Sequence, residues 1–132
     1  MRKLFAAIAI LTGATVAAAA PAQGIDGRWV NPSHSVVVDV GPCGASQCGR
    51  VAWASSQARA DAREGTPNLV GAELLTALQE KQDGEWKGRL FVPDEKLTVT
   101  AELQLLDAQQ LKVSGCILGG LICKSQVWTR AA

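Results

Sequence analysis

Along much of this chain apolar and polar residues alternate with period two, the spacing of a strand with one face toward a core. Leu97, Val99, Ala101, Leu103 and Leu105 fall on one face, and Thr98, Thr100, Glu102 and Gln104 on the other. Val36, Val38 and Val40 oppose Ser35, Val37 and Asp39; Gly49, Val51 and Trp53 oppose Arg50, Ala52 and Ala54. Trp86, Gly88, Leu90 and Val92 oppose Glu85, Lys87, Arg89 and Phe91. Leu111 and Val113 begin another short strand, and Cys123 to Arg130 reads as the last. Turn residues separate the runs: Asn31-Pro32-Ser33, Gly41-Pro42, Asp83-Gly84, Pro93-Asp94, Asp107 to Gln110 and Gly119-Gly120. Short strands at this spacing predict an antiparallel sandwich or barrel.

Two segments resist the pattern. Ala54 to Pro67 is polar and Ala-rich and reads as the long loop, with room for one helical turn. Glu73 to Gln82 is built from strong helix formers. Yet Asp83-Gly84 joins it directly to the run around Trp86, and Asp-Gly between two runs is a hairpin signal. The hairpin favours a strand, with a helix as the alternative.

The first 22 residues read as a cleavable export signal. Arg2 and Lys3 supply the positive start, Leu4 to Val16 the apolar run, and Ala20-Pro21-Ala22 the small-x-small cleavage site. The apolar run is shorter than the ~20 residues of a membrane span. This places the mature start at Gln23, gives one domain over residues 23–132, and leaves no membrane span after cleavage. It also implies a periplasmic or secreted protein. Removing Arg2 and Lys3 leaves 11 basic against 12 acidic residues, a formal charge of −1. That balance gives no footprint for nucleic acid.

Export changes the meaning of the four cysteines. In an oxidising compartment Cys43, Cys48, Cys116 and Cys123 read as disulfide staples rather than metal ligands. Their spacing within pairs also departs from the two-residue intervals of a four-cysteine zinc site. The pairing expected is Cys43–Cys48 and Cys116–Cys123, since each closes a glycine-containing loop between two strands. Cross-linking of the two loops is the alternative.

Candidate chemistry is sparse. His34 is the single histidine, in a turn between Ser33 and Ser35, and no cysteine is left for a Cys–His pair. Asp61, Asp83, Asp94, Glu95 and Glu102 each suit a turn, cap or solvated strand face, so no acid–base pair of a hydrolase stands out. No catalytic residue, metal site or cofactor is assigned. Trp29, Trp53, Trp86 and Trp128 carry almost all the aromatic mass, since Tyr is absent. With apolar neighbours two residues away they read as core, with a stacking surface as the alternative. Trp53, Trp86, Val51, Leu90, Val99 and Leu103 are the candidates to line an interior or a ligand site. Gly27-Arg28-Trp29 resembles the Gly-x-Trp signature of lipocalins, in which a late arginine covers the tryptophan. Arg130, in Trp128-Thr129-Arg130, stands where that arginine is expected.

Taken in order, these motifs resemble a bacterial secreted family known as domain of unknown function 2147. The matching features are Gly27-x-Trp29, Val38-x-Val40-x-Pro42-Cys43 and Cys48-Gly49-Arg50-Val51. Asp61, Asn68, Gly71 before Leu74-Leu75, and Trp86-x-Gly88 leading to Phe91-Val92-Pro93 follow, then Gly115-Cys116 and the terminal Trp128-Thr129-Arg130. The chain departs from many members where Asp-Pro, Gly and Tyr are usual: Val92 precedes Pro93 here, and Tyr is absent. The resemblance implies an all-β, up-and-down, lipocalin-like barrel of eight strands and supports a strand at Glu73 to Gln82. It implies no reaction. The function expected from such a barrel is a non-catalytic binding module for a small apolar or amphipathic ligand. The alternative is an envelope protein with a solid interior that meets a protein partner.

Overall fold

The computed structural model describes residues 24–131; the export segment assigned to residues 1–22 lies outside them. Eight antiparallel strands follow one another around a closed barrel. They are β1 (Gly27–Val30), β2 (Val36–Cys43), β3 (Ser46–Ala54), β4 (Glu73–Gln82), β5 (Glu85–Val92), β6 (Leu97–Asp107), β7 (Gln110–Ile117) and β8 (Ile122–Arg130). Each pairs with the next, and β8 returns to β1. The β2–β3, β4–β5 and β6–β7 turns meet the start of β1 and the end of β8 at what we call the lower end. The β1–β2, β5–β6 and β7–β8 turns and one helix, α1 (Ser56–Ala62), lie at the upper end.

The clean alternation of β6 survives folding: Ala101 and Leu103 are buried while Thr100, Glu102 and Gln104 are exposed. Elsewhere register shifts break the period, and two of them reset which residues face the core. Val37 pairs with Trp53 but Val38 pairs with Val51, so Ala52 is an extra residue in β3. Val51 and Ala54, three apart, therefore both face the core, and Trp53 turns outward, half-exposed. In β4 the register shifts between Thr76 and Gln79, and Ala77 takes φ +54°. Leu75 and Leu78, again three apart, are both fully buried. The helix-like spacing in that segment belongs to a bulged strand, and Gly84 at φ +77° makes its Asp-Gly hairpin turn.

The segment read as the long loop with a helical turn carries a helix of two turns. Ser55 caps α1, its Oγ accepting from the Ala58 amide at 3.0 Å. Seven residues are too few to hold a helix alone in water. This one is anchored because Ala62 is buried and Ala58 packs against the core.

Both disulfides are local, Cys43–Cys48 and Cys116–Cys123. The cysteines lie within the strands rather than in the turns. Cys116 pairs directly across from Cys123, while Cys43 and Cys48 sit diagonally, opposite Ser46 and Gly41. One staple is at the lower end and the other at the upper.

Candidate functional site: a sealed base and an open upper cup

The lower end is sealed by Trp29 and Arg130. Trp29 is fully buried, and its indole Nε1 donates to the Ile25 carbonyl at 2.9 Å. The Arg130 guanidinium lies over the Trp29 ring, 4.2 Å from its centroid. It also donates to the carbonyls of Asp26 (2.7 Å), Ala108 (2.8 Å) and Gly24 (3.3 Å). One side chain thereby ties the N-terminal segment, the β6–β7 turn and β8 together. Gly27 makes this possible: its φ is +118°, and a Cβ there would stand 2.8 Å from Arg130 Nη1. The glycine of Gly-x-Trp is the space the arginine needs.

Above this plug the barrel is solid. Trp128, Leu111, Val113, Leu103, Leu75, Leu78, Val38, Val40 and Val51 are buried together. Inward glycines are filled by their neighbours. A Cβ at Gly88 would meet Leu78 Cδ2 at 2.8 Å, and one at Gly115 would meet Leu90 Cδ2 and Val99 Cγ2 at 3.2 Å. At this level no room is left for a ligand.

The upper end differs because the barrel closes over a short seam. β7 and β8 pair along eight positions, Gln110↔Thr129 to Ile117↔Ile122. β1 meets β8 only at Trp29↔Arg130 and Val30↔Thr129. From Trp128 upward β8 has no strand on its β1 side. Ile122, Lys124 and Gln126 share the face of Trp128, which meets the core, yet all three are exposed. Register carries an apolar rung across four strands here: Leu90 pairs with Val99, while Thr100↔Cys116 places Ile117 beside Val99, and Ile117 pairs with Ile122. Leu90 and Val99 are half-buried, whereas Ile117 and Ile122 are exposed. Above the rung, Val92 pairs with Leu97. The result is a stretch of apolar inner wall left uncovered, which we call the cup, with Lys124 and Gln126 as polar groups on its β8 side. Gln126 Oε1 accepts from Trp128 Nε1 at 2.9 Å. Lys124 makes no ion pair among the described residues.

The candidate lining residues therefore separate. Val51 and Leu103 belong to the packed middle, and Trp86 packs beside it, half-buried. Leu90 and Val99 form the floor of the cup. Trp53 belongs to neither, because the β3 bulge puts it outside. The cup residues Ile117, Ile122 and Lys124 went unnoticed in the sequence. They reveal themselves only through register, since nothing local marks a strand whose neighbour stops early.

Among the remaining polar candidates, the turn that holds His34 and the carboxylate of Asp61 have structural partners. Asn31 Oδ1 accepts from the amides of Ser35 (2.9 Å) and Val36 (3.0 Å), and Ser33 and Ser35 share a hydroxyl bond of 2.8 Å. These bonds hold the β1–β2 turn in which His34 sits at φ +56°. Asp61 accepts from Gln57 on α1 at 2.8 Å. A depression on the outer face of β5–β7, lined by Lys87, Glu102, Gln104 and Lys112 among others, is open and of mixed charge.

Comparison with known proteins agrees with this architecture. The family model described as "Uncharacterized protein conserved in bacteria (DUF2147)" matches residues 27–130. The fold is similar to that of protein HP1028 from Helicobacter pylori, which belongs to the lipocalin family. The TM-score is 0.65, at 12% identity over 84% of this chain and 85% of that one. At that identity the likeness is one of fold. No curated protein matches the sequence.

Proposed function

The chain belongs to the bacterial DUF2147 family, and on that premise we propose that it is an exported, non-catalytic binding module for a small apolar or amphipathic molecule. The observation that carries this reading is the short β1–β8 seam over a solid base. It turns the rung Leu90, Val99, Ile117 and Ile122 into a partly uncovered apolar surface inside the barrel wall. Such a surface holds an aliphatic chain or ring by burial, worth roughly 25 cal/mol for each Å² removed from water. Lys124 and Gln126 at its margin suit a polar or anionic end group. A lipocalin-like barrel in a structural relative is consistent with this use, although fold alone does not fix it.

The test is titration of the chain beginning at Gln23 with a panel of single-chain amphiphiles, followed by tryptophan fluorescence and calorimetry. Saturable binding is expected, and Val99→Phe, which fills the cup, weakens it without lowering the melting temperature. Silence across the panel, or equal binding by Val99→Phe, overturns the proposal. The packed middle favours the second reading, an envelope protein with a protein partner. In that case a pull-down from periplasm returns a partner and extraction returns no ligand. Sequencing the N-terminus of the periplasmic protein tests the export reading, which requires Gln23 as the first residue.

A further inference from the structure

We propose that the β7–β8 turn is a docking finger that seats on the surface of a phospholipid bilayer. The six residues Ile117-Leu118-Gly119-Gly120-Leu121-Ile122 carry no polar side chain. Leu118 is 65% exposed and Leu121 84% exposed, at the tip of a hairpin standing above the barrel mouth. Solitary exposed leucines are ordinary, but a contiguous aliphatic tip is not.

Backbone conformation supplies a second, independent observation. Leu118 sits at φ +55°, a left-handed conformation that glycine or asparagine adopts more cheaply. A leucine there is strained and, at 65% exposure, gains little packing from its own chain. His34 and Ala77 take the same region to shape a turn and a bulge; Leu118 differs in presenting a large apolar side chain to solvent while doing so. The finger is also held in shape. Cys116–Cys123 staples its base, Ser114 and Ser125 share a hydroxyl bond of 2.7 Å, and Leu121 N donates to Leu118 O at 3.2 Å. Little order remains to be lost on docking.

Composition selects the bilayer over a protein. After Asp107 the chain has three charged residues, Lys112, Lys124 and Arg130, and no acid. All twelve acids precede them. Lys124, immediately beyond the staple and exposed, is the basic residue that follows the aliphatic tip, where a lipid phosphate can meet it when the tip is inserted; the acids Asp94 and Glu95 lie across the mouth in the β5–β6 turn. Protein hot spots are built from Trp, Tyr and Arg in fitted pockets. This tip is convex and aliphatic, which suits a fluid apolar layer that needs no complementary shape. Docking there also turns the cup mouth toward the lipid.

The experiment is co-sedimentation of the chain beginning at Gln23, which contains the whole barrel and lacks the apolar segment 1–22. The vesicles are phosphatidylcholine alone, or phosphatidylethanolamine with phosphatidylglycerol. Binding to both is expected, stronger on the anionic vesicles. Leu118→Asn with Leu121→Ser should lose about a hundredfold on either surface, roughly tenfold per leucine. Lys124→Gln should abolish only the anionic advantage. Leu118→Asn alone should keep or raise the melting temperature while weakening vesicle binding, because it relieves strain and removes an anchor together. A wild-type chain that sediments with neither vesicle overturns the proposal. So does a doubly substituted tip that binds as well as wild type, which would leave only nonspecific charge. The tip variants leave the cup floor intact, so this result is independent of the ligand titration.

Discussion

Replacing Arg130 with alanine removes the plug that seals the base, and the cost can be worked from its contacts. The guanidinium makes two short bonds to carbonyls, at 2.7 and 2.8 Å, and one long one at 3.3 Å. These bonds are solvent-exposed, and water replaces them in the variant. Each short bond is therefore counted at about 1 kcal/mol, and the long one is neglected. The cation over the Trp29 ring contributes about 1 kcal/mol more. The expected loss is about 3 kcal/mol, a large share of the roughly 5–15 kcal/mol that holds a domain together. For a barrel of this length that is about 12 °C in melting temperature. Urea unfolding at constant slope gives the free energy, and calorimetry the temperature. Arg130→Lys keeps the charge over the ring but offers one compact donor group instead of a fork. It should recover about 1 kcal/mol of the loss. The reasoning is refuted if Arg130→Ala costs less than about 1 kcal/mol. It is equally refuted if lysine restores full stability, since charge alone would then suffice.

Two further predictions follow from burial and connectivity. Trp29→Ala should cost about 4 kcal/mol or prevent folding, whereas Trp53→Ala should cost less than about 1 kcal/mol because the bulge has already placed that ring in solvent; parallel urea curves check the contrast. Replacing both Cys116 and Cys123 with serine opens the upper loop and should cost about 2.5 kcal/mol on the chain-entropy model, read as a lower urea midpoint with β6 amide protection retained.

Most of the barrel could be read from the chain because its information is local. The alternation in β6, the Asp-Gly hairpin and the glycine-containing cysteine loops each depend on residues adjacent in sequence. The two bulges do not. Whether Trp53 faces in or out depends on how Val37 and Val38 pair across the sheet, and one inserted residue reverses every later side chain. The same holds for Ala77, whose left-handed φ lets Leu75 and Leu78 both reach the core. The extent of helix α1 was less legible for a related reason: its Ala, Arg and Gln favour a helix, but a segment this short is held by burial of Ala62 against the barrel. The cup was the least legible feature, since it arises from the early end of β1 at Val30 beside a β8 that continues to Ile122.

That two-rung seam also governs when the protein can fold. Trp29 must find Arg130 and Val30 must find Thr129, joining strands from opposite ends of the chain. Neither disulfide shortens that search, because each closes only its own hairpin. Long-range closure of this kind makes folding slow, and hairpins formed earlier must wait for it. The barrel therefore stays open until its last residues have emerged. A chain so arranged completes its barrel only after β8 has been made, and its earlier hairpins lack until then the partner strand that closes them.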